Sequence, residues 1–199
     1  MKPYCMIIDD FFPPAILKPF REWLDKAPFV KEEPDGDEDQ LMVFDFKEDN
    51  LAVGLTLGKV FGCRIRIHGM MARLATEGIK PAYTVHSDAD KGSQFNAVIY
   101  MTPNSVLPPG NGTVLCRNIE TGQETYDGKH NQFGIRNDVY GSAHGWKSII
   151  TCEMKENRCF IFPSNQLHYA TPVWGGFGTD QTNGRMVLSV FFSLDGMTT

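Results

Sequence analysis

The chain contains five histidines, His68, His86, His130, His144 and His168, and two of them stand where a metal centre could use them. His86 and Asp88 are two residues apart, so on a strand the imidazole and the carboxylate point to one face. Such a pair can grip one metal ion from one side. The pair alone is a weak signal, and an ordinary surface strand end explains it equally well. Its context narrows the choice. His168 follows the apolar stretch Cys159-Phe160-Ile161-Phe162-Pro163 and a Ser164-Asn165 turn. A third ligand from so distant a strand completes a two-histidine, one-carboxylate facial triad, which leaves three positions of an iron(II) ion open. Arg185 then opens the apolar run Met186-Val187-Leu188-Ser189-Val190-Phe191-Phe192. An arginine at the head of such a strand is costly to bury without an anionic partner, and its planar fork matches a carboxylate through paired hydrogen bonds. Ser189, four residues along, shares its facing and can donate to the same carboxylate.

The elements that must position these groups are legible in outline. Residues 4–8 suit an edge strand. Phe11, Phe12 and the Pro13-Pro14 pair suit a helix entrance, where proline is tolerated. Ile16, Phe20, Trp23 and Leu24 follow at helical spacing, predicting an amphipathic helix that ends near Ala27-Pro28. Pro19 inside it predicts a kink or a break into two pieces. A second helix is predicted over 48–62, weakened by Gly54, Gly58 and Gly62. Beyond residue 65 the signal changes to strands at 65–74, 83–88, 94–101, 113–118, 148–154, 158–162, 168–173 and 185–194, with turn clusters at 91–93, 108–112 and 175–178. Short strands punctuated by Gly and Pro indicate a sandwich or barrel rather than alternating β-α units. His68 reads as a strand residue, and His130 and His144 as solvent-facing. The polar stretch 118–147, carrying Tyr126, Phe133, Tyr140 and Trp146, reads as a lid over the active-site mouth, because long loops in compact domains are usually functional or disordered.

Composition bounds the rest. With 199 residues the chain reads as one domain, a helical lead-in over about 1–62 and a barrel over about 63–199. Apolar residues at 42% and charged residues at 22% are ordinary for a soluble globular protein. The net charge of -5 has a local origin: six of the eight residues 32–39 are acidic, which leaves 19 basic against 18 acidic residues elsewhere. A charge block of this kind is usually a solvated loop. No basic stripe of the sort that binds nucleic acid is visible. The apolar run 186–194 is about half the length of a membrane span, and the N-terminal apolar stretch is too short for a signal peptide. Five scattered cysteines without a C-x-x-C pair argue against a disulfide framework or zinc knuckle. They read as reduced thiols of a cytoplasmic protein.

The order of H-x-D, a distant histidine and an arginine on the last strand resembles the iron(II)- and 2-oxoglutarate-dependent dioxygenase superfamily, and within it the prolyl-4-hydroxylase-like branch. The likeness spans about 70–194, and Ile7-Ile8-Asp9-Asp10-Phe11-Phe12-Pro13 is similar to the lead-in of such proteins. Tyr83, three residues before His86, Ala97-Val98-Ile99-Tyr100-Met101 and Gly112-Thr113-Val114-Leu115 match strands of that branch. The stretch from His168 to Arg185 is longer than is usual there, and the excess falls in 174–184.

The resemblance implies a double-stranded β-helix, a jelly-roll or cupin-like barrel, with N-terminal supporting helices. It implies Fe(II) held by His86, Asp88 and His168, with O2 and 2-oxoglutarate as cosubstrates. The far carboxylate of 2-oxoglutarate would rest on Arg185 with help from Tyr100 and Ser189. By two-residue alternation Gln94 and Asn96 share the facing of Tyr100 and line the pocket or satisfy backbone groups. Tyr83 is a pocket wall or part of the core. The implied reaction is hydroxylation with release of succinate and CO2, of a peptidyl or free amino-acid residue such as proline. Partners are then small molecules, not nucleic acid or membrane. The alternative is a non-catalytic cupin-type barrel that binds metal or ligand.

Overall fold

Alternation of side chains along the long strands sorts this chain into a helix-covered face and a cleft-lining face. The computed structural model describes residues 5–31, 41–43, 49–78, 84–89, 92–126, 128, 132–134, 145–171 and 176–195. Tyr83, His130, His144 and the acidic run 32–39 lie outside them. In chain order the elements are β1 (Met6–Ile8), α1 (Pro14–Leu24), β2 (Val30–Lys31), β3 (Leu41–Val43), α2 (Asp49–Phe61), β4 (Ile65–Ala75) and β5 (Thr84–His86). They continue with β6 (Phe95–Tyr100), β7 (Gly112–Asn118), β8 (Gln132–Gly134), β9 (Trp146–Glu153), β10 (Cys159–Pro163), β11 (His168–Thr171) and β12 (Arg185–Leu194).

The strands form two sheets, one ordered β1-β10-β6-β12-β4-β3-β2 and the other β8-β5-β11-β7-β9, and the pairings are antiparallel. β12 lies at the centre of the larger sheet, with β4 on one side and β6 on the other. Its even-numbered residues, from Met186 to Leu194, enter a core shared with Ala72 and Leu74 of β4, Ala97 and Ile99 of β6, and Phe12, Phe20, Leu24, Val53 and Leu57 of the helical part. Truncating one such leucine to alanine costs about 2–5 kcal/mol. The odd-numbered face carries Arg185, Val187 and Ser189 into a cleft. Tyr100, Leu115, Phe160, Phe162 and Val187 pack a second, smaller core beside it.

α1 runs unbroken from Pro14 to Leu24 with Pro19 inside it, not as two pieces. Phe20 and Leu24 bury one face of the helix, and that packing offsets the hydrogen bond that Pro19 cannot make. The short pairs β2, β3 and β8 add two or three residues each at the sheet margins, too little periodicity to announce them in sequence. Gly112 is required where β7 meets β9: a Cβ there would lie 2.1 Å from the Cys152 carbonyl oxygen.

Candidate metal centre

β5 and β11 pair so that His86 and His168 are direct cross-strand partners. Their rings lie 4.3 Å apart, centre to centre, inclined at 52°. Asp88 follows His86 by two residues, and its backbone N–H donates to the Ser164 carbonyl at 2.9 Å. The turn that leads from β10 toward His168 therefore also fixes the chain at Asp88. One ligand atom from each of His86, Asp88 and His168 lies within 4.8 Å of the others. These residues are brought together from positions 80 residues apart (168 less 88).

The surroundings suit a cation. His168 Nε2 is 3.4 Å from Asp88 Oδ2, while its Nδ1 lies 2.9 Å from the Gln166 carbonyl. A carbonyl can only accept, so Nδ1 carries the proton and Nε2 is left as the ligand atom, the arrangement that orients metal-bound histidines. The Phe162 ring packs 4.7 Å from the His168 ring. Burial works against ionisation of Asp88, but the hydrogen bond and charge of His168, with the charges of His86 and Arg73, outweigh it and hold the carboxyl well below the usual carboxylate range. Asn96, buried on β6, donates its amide N–H to Asp88 Oδ2. Two imidazoles and one ionised carboxylate converging on one point, each with a supporting hydrogen bond or ring contact, fit a divalent first-row metal of the facial-triad kind.

The triad opens onto a cleft between the two sheets' facing strands. Arg185, Ser189 and Asn96 line it, as do Thr113, Val187 and Arg73. Arg185 donates from Nη2 to the Gly112 carbonyl at 3.2 Å. Tyr100 stands behind this wall. It is fully buried, and its hydroxyl lies 3.1 Å from the Cys152 carbonyl and 3.0 Å from the Thr113 hydroxyl. Burial pushes its phenol well above the usual range, so it stays a neutral phenol whose hydroxyl holds Thr113 against the cleft. Gln94 turns to the backbone: its Oε1 accepts from Leu194 N–H at 3.0 Å. His68 is exposed and meets the Ser193 hydroxyl at 2.8 Å, a strand residue as expected.

Sequence reasoning missed Arg73, an arginine inside the apolar stretch Met70-Met71-Ala72-Arg73-Leu74-Ala75. Like Arg185, it is a cation costly to bury in an apolar strand.

No protein-family model matches the chain, and no curated protein matches it in sequence. Solved structures match in shape. The epimerase SnoN, in complex with Fe3+, alpha-ketoglutarate and nogalamycin RO, superposes with a TM-score of 0.59 at 13% identity, over 96% of this chain and 79% of that one. A prolyl hydroxylase from Trichoplax adhaerens, in complex with a hypoxia-inducible-factor peptide fragment, gives 0.60 at 9% identity over 96% and 84%. HygX from Streptomyces hygroscopicus, with nickel, 2-oxoglutarate and hygromycin B bound, gives 0.57 at 11% identity over 98% and 85%. With a supporting helical lead-in and two antiparallel sheets closing on the triad, this chain has the double-stranded β-helix fold of the 2-oxoglutarate- and iron(II)-dependent oxygenases.

Proposed function

We propose that this protein is an iron(II)- and 2-oxoglutarate-dependent oxygenase that hydroxylates an amino-acid residue, peptidyl or free, such as proline, and releases succinate and CO2. The observation that carries the proposal is the convergence of His86, Asp88 and His168 in a cleft that also holds Arg185 and Ser189. The proline reading draws support from neighbours of the same fold that are prolyl hydroxylases. The cytoplasm, where thiols stay reduced, suits the five free cysteines.

His86, Asp88 and His168 would hold Fe(II), and the bound metal would supply the oxygen activation that no side chain provides. Asp88 contributes a charge that stays ionised near neutrality, and Asn96 fixes the carboxylate that carries it. His168 keeps its Nδ1 proton on the Gln166 carbonyl, so it stays oriented throughout. Arg185 and Ser189 would receive the far carboxylate of 2-oxoglutarate, with Arg185 braced by the Gly112 carbonyl. Tyr100 acts one step back by holding Thr113. Val187 gives the cleft an apolar wall, and Phe162 packs against the His168 ring from the core side. Arg185 argues against a barrel that merely binds a ligand, since such a barrel has no need of a cation aimed at the metal-side pocket.

Addition of Fe(II) and 2-oxoglutarate to the protein without oxygen should produce a visible metal-to-ligand charge-transfer band. Absence of the band in the wild type, or its survival in His168→Ala, would sink the assignment.

A further inference from the structure

Arg73 has no place in that scheme. It sits on β4 as the cross-strand partner of Val187 on β12, so the two side chains share a face. Arg185 and Ser189, two residues to either side of Val187, share that face too. The cleft thus contains two guanidinium groups on adjacent strands and one carboxylate, Asp88, among the described residues. Arg185 is braced by the Gly112 carbonyl, whereas Arg73 reaches the cleft from the neighbouring strand β4.

Among the described residues lining the cleft, two buried polar atoms have no hydrogen-bond partner, Arg73 Nε and Asn96 Oδ1. One is a cationic donor. The other is an acceptor, because the Asn96 amide must turn its N–H group toward the ionised Asp88. A buried donor left without an acceptor is costly. A ligand that brings an anion for Arg73 and an N–H donor for Asn96 removes both deficits.

We propose that Arg73 and Asn96 form the recognition site for the primary substrate, and that this substrate is a free amino acid, its carboxylate on Arg73 and its amino group on Asn96. The inference rests on the oxygenase reading and narrows it, excluding an internal peptidyl residue, which has no free carboxylate.

The test uses the protein loaded with Mn(II) and 2-oxoglutarate, which binds without turning over. Free amino acids, L-proline among them, are compared with their carboxamides by calorimetry and thermal shift. At least one amino acid should bind the wild type about tenfold or more tighter than its amide, the size of a charged hydrogen bond. Arg73→Met should abolish that preference and leave 2-oxoglutarate affinity within about twofold, and Arg73→Lys should restore part of it. Arg185→Met should do the reverse, losing 2-oxoglutarate first. Melting of the metal-free variants separates these effects from misfolding, and the lysine variant keeps the test valid if the methionine variant does not fold. If Arg73→Met weakens 2-oxoglutarate as much as Arg185→Met does, Arg73 belongs to the cosubstrate and the proposal falls. It falls equally if no amino acid is preferred over its amide. Failure of the wild type to bind 2-oxoglutarate strikes instead at the oxygenase reading beneath it.

Discussion

Asp88 shows how much one residue here depends on its neighbours. Its carboxylate accepts from Asn96 and faces His168 at 3.4 Å, while its backbone N–H donates to the Ser164 carbonyl. Groups that orient metal ligands typically govern affinity by about 10- to 100-fold, so Asn96→Ala should weaken Mn(II) binding to that extent, read by electron paramagnetic resonance titration. Arg185→Met should act elsewhere. Loss of a charged hydrogen bond, about 1.5–3 kcal/mol, should fall on 2-oxoglutarate affinity and leave metal affinity nearly intact; equal loss of both would make Arg185 a structural residue. His86, Asp88 and Arg185 were legible because each pairs a chemical type with a local pattern. Arg73 was not singled out, since the alternation of β4 alone does not say which of its faces meets the cleft. The pairing of Arg73 with Val187 decides that.

At the scale of elements, the lead-in and the barrel are joined by specific polar contacts as well as by packing. Asn157, in the turn before β10, has φ 61°, a conformation that asparagine tolerates better than most residues. Its side chain accepts from Phe12 N–H and donates to the Phe12 carbonyl, both at 2.9 Å. Asn157→Ala leaves both groups unpaired in a buried setting and should cost about 1–3 kcal/mol, measured by urea denaturation with the slope unchanged. Arg21 of α1 reaches the Gln181 carbonyl at 2.5 Å and the Met101 carbonyl at 2.6 Å. Gln181 returns a bond to the Asp25 carbonyl at 2.9 Å. The lead-in helix thus holds the segment that delivers Arg185. This accounts for part of the long stretch between His168 and Arg185: residues 176–184 are built structure. Gly178, at φ 71°, is needed there, because a Cβ would come within 2.3 Å of the Asn183 carbonyl oxygen.

Across the whole molecule, burial decides which side chains can react. Cys116, Cys152 and Cys159 are buried, whereas Cys5 and Cys63 are partly exposed. Burial pushes the Cys116 thiol up to about 12 and the Cys152 thiol up to about 11, so at pH 8 neither supplies the reactive thiolate. Alkylation of the folded protein, followed by mass spectrometry, should therefore mark Cys63 and Cys5 and spare the other three until denaturant is added. Rapid labelling of Cys116 in the native protein would contradict this packing. No helix among the described residues is long and apolar enough to cross a membrane, in line with the apolar run 186–194 becoming β12.

The sequence by itself determined the types of the longer elements, the chain order of the three metal-ligand candidates and the alternation along β4, β6 and β12, because each follows from spacing within one short segment. Only the tertiary structure decided that His86 opposes His168, that Asn96 serves Asp88 and that Tyr100 stands behind the cleft wall. It alone placed Arg73 beside Val187. Strand register and the packing of one sheet on another are set by contacts between residues far apart in the chain. Slipping a register by one residue would turn every side chain to the opposite face, so no local pattern could supply those relations.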